Sequence, residues 1–277
     1  DTYNVAVGYE AGGAITTGIE NTLVGGLTGD AITTGSQNVA LGYLALSSDD
    51  LGSDSVAIGK GALQNQNYTT ATNSYNTAVG RDAGNDVTTG VNNTIIGGLA
   101  GDALTTGTSN AVLGYAALST DDVGNFSTAI GHGALNAQNY ATSTDGYNTA
   151  VGAKAGESVT TGIENTLIGG LAGDALTDAD FNVAVGRASL SADTLGSRSV
   201  AIGDGALFVQ NFTTATDTNN TAVGFAAGVS VTTGVQNTLI GSSSGDALTD
   251  ADGNTSVGFG SLGFDQLGSK TTAIGFR

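Results

Sequence analysis

Apolar residues in this chain return in one short phrase: a small polar residue, three residues that are mostly apolar, then glycine. Sixteen copies begin at Asn4, Asn21, Asn38, Ser55, Asn76, Asn93, Asn110, Ser127, Asn148, Asn165, Asn182, Ser199, Asn220, Asn237, Asn254 and Thr271. Their spacing runs 17, 17, 17 and 21 residues and then repeats, so a longer period of 72 residues starts near 4, 76, 148 and 220, with the last block incomplete. Self-similarity at a fixed period marks units that cannot bury an apolar face alone and must stack on their neighbours. The pattern predicts one all-β domain over residues 1–277, a parallel β-roll (solenoid) of about 16 short coils.

Strand alternation assigns faces within the phrase. The fourth residue is Val, Ile or Leu in every copy, from Val7 to Ile274, and is expected to face the interior together with the second. The third points the other way and is usually Ala, replaced by Leu23, Ile95, Val112, Leu167 or Leu239 in some copies. Both faces are therefore largely apolar, as expected of a strand covered on two sides, one side by its own coil and the other by a neighbouring wall or subunit. The closing glycine suits a bend at positive φ. A small residue three positions later, followed by Gly or Leu as in Ala11-Gly12 and Ala45-Leu46, is expected to start a second short strand. Asn at twelve of the sixteen first positions should stack as a register-fixing ladder of amides.

Two further columns depart from a plain repeat. The fourth coil of each block carries four extra residues, with Tyr68, Tyr140 and Phe212 at matching positions, which suits an aromatic that pins the loop to the stack. Just after the corner glycine, a second column holds Tyr9, Tyr43, Lys60, Arg81, Tyr115, His132, Arg187, Phe225 and Phe259. It reads as an exposed edge, either a solvated turn or a contact surface for a glycan, a receptor or another subunit; Tyr9, Tyr43, Tyr115, Phe225 and Phe259 are the candidate contact residues.

Composition narrows the function. A formal net charge of −18 opposes binding to nucleic acid or anionic lipid, which needs clustered Lys or Arg. No apolar run is long enough to insert into a membrane. The absence of Cys and Met leaves no disulfide framework and is compatible with an exported, extracellular protein. A chain that opens and closes inside repeats reads as a piece of something longer.

Catalysis needs convergent groups that break a repeat, and none stands out. His132 is the sole histidine, and the acids Asp30, Asp102, Asp174 and Asp246 recur every 72 residues in Gly-Asp-Ala turns, so the chain is not expected to be an enzyme and no cofactor is implied. Calcium is the one metal considered. Asp250, Asp252 and Asn254 resemble the start of a calcium loop, with Asp49-Asp50, Asp121-Asp122, Asp178 and Asp180 as further oxygen donors, although turn chemistry accounts for the same residues. The recurring Thr-Thr-Gly could form an ice-ordering ladder, but Ser47-Ser48-Asp49-Asp50 and the longer coils interrupt it.

The phrases Asn76-Thr-Ala-Val-Gly80, Ser55-Val-Ala-Ile-Gly59 and Ser199-Val-Ala-Ile-Gly203 resemble the head repeats of YadA-like trimeric autotransporter adhesins. Similar phrases with intervening Thr-Thr-Gly occur in phage and bacterial tail-fibre proteins. The resemblance covers nearly the whole chain, although the adhesin head repeat is shorter than the 17-residue coil here. It implies a left-handed roll, three chains side by side, and a place on a cell or virion surface. The expected function is a structural or adhesive segment of an extracellular fibre, with a glycan- or receptor-binding module and a self-polymerising filament as the alternatives.

Overall fold

In the computed structural model, which describes residues 2–277, the sixteen phrases form sixteen three-residue strands, and no described residue is helical. Contacts divide the chain into two compact units, Asp1–Gly146 and Tyr147–Arg277. Each is a parallel β-solenoid of eight coils. In the first unit the strand Val5–Val7 pairs in parallel with Thr22–Val24, which pairs with Val39–Leu41 and so on, residue for residue at each step. The second unit repeats the arrangement from Thr149–Val151 to Thr272–Ile274.

The middle residue of each strand points inward. Leu23, Ala40, Ala57, Ala78 and Ile95 are buried, while Val7, Leu41 and Leu113 at the fourth position are about half exposed (58%, 47% and 47%). The expected polarity of the strand is thus reversed: the invariant aliphatic faces outward and the variable third residue faces the core. The reason is space. In many coils of this narrow interior a large inward residue on the strand is set against a small one on the facing wall, or the reverse; Val112 with Leu118 is an exception in which both are large and buried. Where the strand supplies Leu23, Ile95, Leu167 or Leu239, the facing wall has Gly29, Gly101, Gly173 or Gly245; a Cβ on Gly29 would lie 2.9 Å from Leu23 Cδ2 and 2.8 Å from Ile32 Cδ1. Where the strand supplies Ala40 or Ala57, the facing wall fills the gap with Leu46 or Leu63.

That facing wall is not a β-strand. Leu27 and Gly29, Leu44 and Leu46, and their equivalents have φ near +55°, so the chain turns continuously instead of extending. It is nonetheless tied rung to rung, as in Gly29 N–H to the Ala45 carbonyl at 3.0 Å and Leu46 N–H to that of Ala62 at 3.0 Å. The corner after each strand is restricted more severely. Gly25 has φ +144° and a Cβ there would meet the Gly42 carbonyl oxygen at 2.5 Å, so only glycine fits this column.

The asparagine column forms, with a different bonding pattern from an amide stack. Each Oδ1 accepts the main-chain N–H of the next rung's first phrase residue (Asn38 to Asn21, 3.0 Å; Ser55 to Asn38, 3.0 Å). Except at Asn254, the Nδ2 reaches across its own coil to a carbonyl at the opposite corner (Asn21 to Gly35, 3.0 Å; Asn93 to Gly107, 2.9 Å). A fully buried side chain with both ends satisfied thereby closes the coil and links it to its neighbour.

Candidate functional site

Three features rise above the repeat. The first is the outward face of each sheet. Strand alternation places the second and fourth phrase residues there, so every rung presents one aliphatic side chain beside a Val, Thr or Ala. Val5, Val39, Ile168, Ile202 and Ile240 are all substantially exposed. An apolar strip that repeats at every rung of a unit exceeds the scattered exposed side chains of an ordinary monomer surface.

The second feature is the interior plug of the third and fourth coils. The column that holds Ile32 in the second coil holds Asp49 in the third and Gln66 in the fourth, all buried. Gln66 Nε2 donates to Asp49 Oδ2 at 2.6 Å and to Ser55 Oγ at 2.8 Å, Gly52 N–H donates to Asp49 Oδ1 at 2.9 Å, and Asn76 Nδ2 donates to Gln66 Oε1 at 2.9 Å. The same set recurs as Asp121 with Gln138 and as Asp193 with Gln210, each at 2.6 Å. Burial raises the pKa of all three aspartates, opposed in part by the amide and main-chain donors around them. The four-residue insertion completes the plug. It brings Thr72–Asn73 alongside Gly52–Ser53 as a small parallel pair and buries Tyr68, whose hydroxyl donates to the Gly90 carbonyl at 2.8 Å. Tyr68, Tyr140 and Phe212 are all buried, as expected of pins. Gln66, Gln138, Gln210 and Asp193 were not singled out from sequence; the substitution of a polar residue into an aliphatic column every 72 residues is the signal that would have found them.

No family model matches the chain, and no relative was found among curated proteins. Functional assignment therefore rests on the residues.

The acids considered for calcium have separate tasks. Asn254 is buried in the asparagine column, where its Nδ2 donates to Asn237 Oδ1 at 3.1 Å and its Oδ1 accepts the Thr271 N–H at 2.9 Å. Asp252 Oδ1 accepts the Val235 N–H at 2.9 Å, and Asp250 Oδ1 accepts the Thr249 hydroxyl at 3.4 Å. Asp180 Oδ1 accepts the Ile163 N–H at 2.8 Å. Among the described residues no three acidic or histidine side chains gather into a set that could hold a metal ion.

The third feature is the edge column. Tyr9, Tyr43, Tyr115, Phe225 and Phe259 are all more than half exposed. Within the first unit the column is held in line by the main chain: Gly61 N–H bonds the Tyr43 carbonyl, Asp82 N–H that of Lys60, Leu99 N–H that of Arg81, and Gly133 N–H that of Tyr115. Each rung therefore contributes one column position, which carries a side chain except at Gly26 and Gly98. Tyr115 stacks on His132 with ring centroids 5.6 Å apart, and in the second unit Phe259 stacks on Phe276 at 5.4 Å. Arg187 makes a surface ion pair with Asp204 at 3.0 Å.

Proposed function

We propose that this chain is a structural segment of an extracellular fibre, a surface adhesin or tail-fibre shaft, that assembles as a homotrimer and carries a binding end away from a cell or virion surface. The observation that carries the reading is the outward aliphatic strip. An invariant Val, Ile or Leu that is not needed to fill the coil is explained if it is buried against another chain. Burial of such a strip gains about 25 cal/mol per Å² removed from water, repeated along a side-by-side seam. The resemblance of the phrases to adhesin heads and tail fibres supports the same assembly, and the acidic composition suits a soluble extracellular segment. Work is done by rigidity: rung-to-rung main-chain bonds, the asparagine column and the interlocked Leu/Gly core resist bending without any catalytic group.

Two substitutions on one strand test this. Val151 points outward and Ala150 inward. Val151→Asp is expected to leave the coil folded, with unchanged circular dichroism, and to reduce the solution mass from three chains to one. Ala150→Asp is expected to disrupt the coil itself. A trimer that persists in Val151→Asp overturns the seam.

A further inference from the structure

We propose that the edge column of the first unit is a binding strip for a carboxylated glycan, a saccharide in which acidic sugars are interspersed with neutral ones. The inference rests on the reading of that column as a contact edge and adds to it a ligand class and a location. Up to Gly146 the chain has thirteen carboxylates and only two Lys or Arg, Lys60 and Arg81. Both lie in this one column, on successive rungs, and the protein's only histidine, His132, lies there too. Cations would spread over the surface if their task were to offset charge; here they are confined to one line, on neighbouring rungs between Tyr43 and Tyr115. The order along it is Tyr9, Gly26, Tyr43, Lys60, Arg81, Gly98, Tyr115, His132.

The glycines give the strip its relief. Gly26 lies between Tyr9 and Tyr43, and Gly98 between Arg81 and Tyr115, so a rung without a side chain leaves a notch at each place. The tyrosine ring beyond each notch borders it: a Cβ on Gly26 would lie 3.6 Å from Tyr43 Cδ2, and one on Gly98 3.7 Å from Tyr115 Cδ2. The notch at Gly98 has the Arg81 rung on one side, whose main-chain carbonyl oxygen would lie 3.9 Å from a Cβ there, and the Tyr115 ring on the other. Arg81 Nε is bonded to Asp82 Oδ2 at 2.9 Å, which orients a side chain that is still 73% exposed and has further N–H donors for a carboxylate. Tyr115, braced on His132, offers a flat face for the C–H side of a sugar ring and a hydroxyl for its polar rim. With rungs about 4.8 Å apart, Lys60 and Arg81 can engage one extended chain at adjacent positions.

Charge density sets the ligand class. A heavily sulfated chain would be repelled by the surrounding carboxylates, among them Asp82 and Glu10 beside the column itself, whereas isolated carboxylates need only the local cations. The second unit lacks this combination: its column reads Ala153, Gly170, Arg187, Asp204, Phe225, Ser242, Phe259, Phe276, with one cation, an acid on the next rung of the column and no tyrosine.

The test is titration calorimetry of the intact chain with two oligosaccharides in which carboxylated sugars are separated by neutral ones, a hyaluronan oligosaccharide and a sialylated lacto-oligosaccharide, and with the carboxyl-reduced form of each. Binding of either acid form supports the strip and identifies the source of the carboxylate, provided the reduced form binds at least roughly tenfold more weakly, the loss expected for a charge-assisted hydrogen bond. Arg81→Gln and Tyr115→Ala should each weaken binding by a similar factor, and Arg198→Gln, an exposed arginine outside the column, should not. Absence of binding by both acids, equal binding of the reduced forms, or unchanged affinity in both column variants overturns the proposal. Solution mass measured on the same samples separates this result from the fibre reading, since a monomer that binds would sink the trimer alone and a trimer that does not bind would sink the strip alone.

Discussion

The second and third coils of the first unit share one backbone and differ in what fills it. The coil from Asn21 is closed by Leu23 and Ile32, both fully buried, while the coil from Asn38 places Leu46 on the facing wall and Asp49 where Ile32 had been. The aliphatic interior needs only volume, whereas the polar one needs a partner on the next rung, Gln66, and an insertion that supplies Tyr68. Coils that are nearly identical could stack in any order. A buried Asp whose Oδ2 is satisfied by the Gln of the fourth coil makes one order preferable, and the 72-residue period is the spacing of these plugs. Register specificity of this kind is the best-attested use of buried polar groups.

Substitutions can separate the two interiors. The largest effect is expected for Leu23→Ala, at roughly 2–5 kcal/mol, because the facing Gly29 has no side chain to fill the space; thermal or denaturant unfolding of the intact chain measures it, and a loss below 1 kcal/mol would contradict the complementary fit of Leu23 with Gly29. A smaller loss, about 1–3 kcal/mol, is expected for Asp49→Leu alone, which leaves one buried N–H of Gln66 without its acceptor. The pair Asp49→Leu with Gln66→Leu should recover much of that loss, so a double variant as unstable as the sum of the two singles would argue against the plug as a matched pair.

Acidity sharpens the contrast, because aliphatic coils do not titrate. Burial holds the pKa of Asp49, Asp121 and Asp193 above the ordinary carboxylate value, so the folded chain keeps these protons to higher pH than the unfolded chain. Their contribution to stability is fully present below the unfolded value near 3.8 and is lost as pH rises through the raised folded values. Asp30, Asp102 and Asp174 shift the same way through burial. The midpoint of unfolding should therefore be higher at mildly acidic than at neutral pH, and Asp49→Asn should flatten the profile; a midpoint that falls on acidification would reverse the assignment. The smallest expected effect is that of Tyr68→Phe, about 1 kcal/mol for the lost bond to the Gly90 carbonyl. A neutral result there would mean that the ring alone pins the loop.

Much of the fold was legible because its signals are local and repeated. The phrase located each strand, the corner glycine located each bend, and the alignment of Tyr68, Tyr140 and Phe212 located the pins. Direction was not legible: alternation shows that Ala150 and Val151 face opposite ways, but with both faces apolar it cannot say which is inside. The decisive fact lies on the other wall, where Gly or Leu complements the inward residue across the coil. The second wall was misread as a strand because Leu46 and Leu63 adopt positive φ, a conformation that leucine rarely takes and that only neighbouring rungs enforce. The edge column was visible as a list of residues; its notches needed the stacking of Gly26 and Gly98 beside tyrosines.

The central claim is that the outward Val, Ile and Leu of each rung form a seam between chains. Light scattering of the purified intact chain at low salt measures it most directly. A stable mass of three chains is the predicted result. A monomer that persists as concentration is raised would contradict it, leaving the invariant aliphatic column without the partner that the account assigns to it.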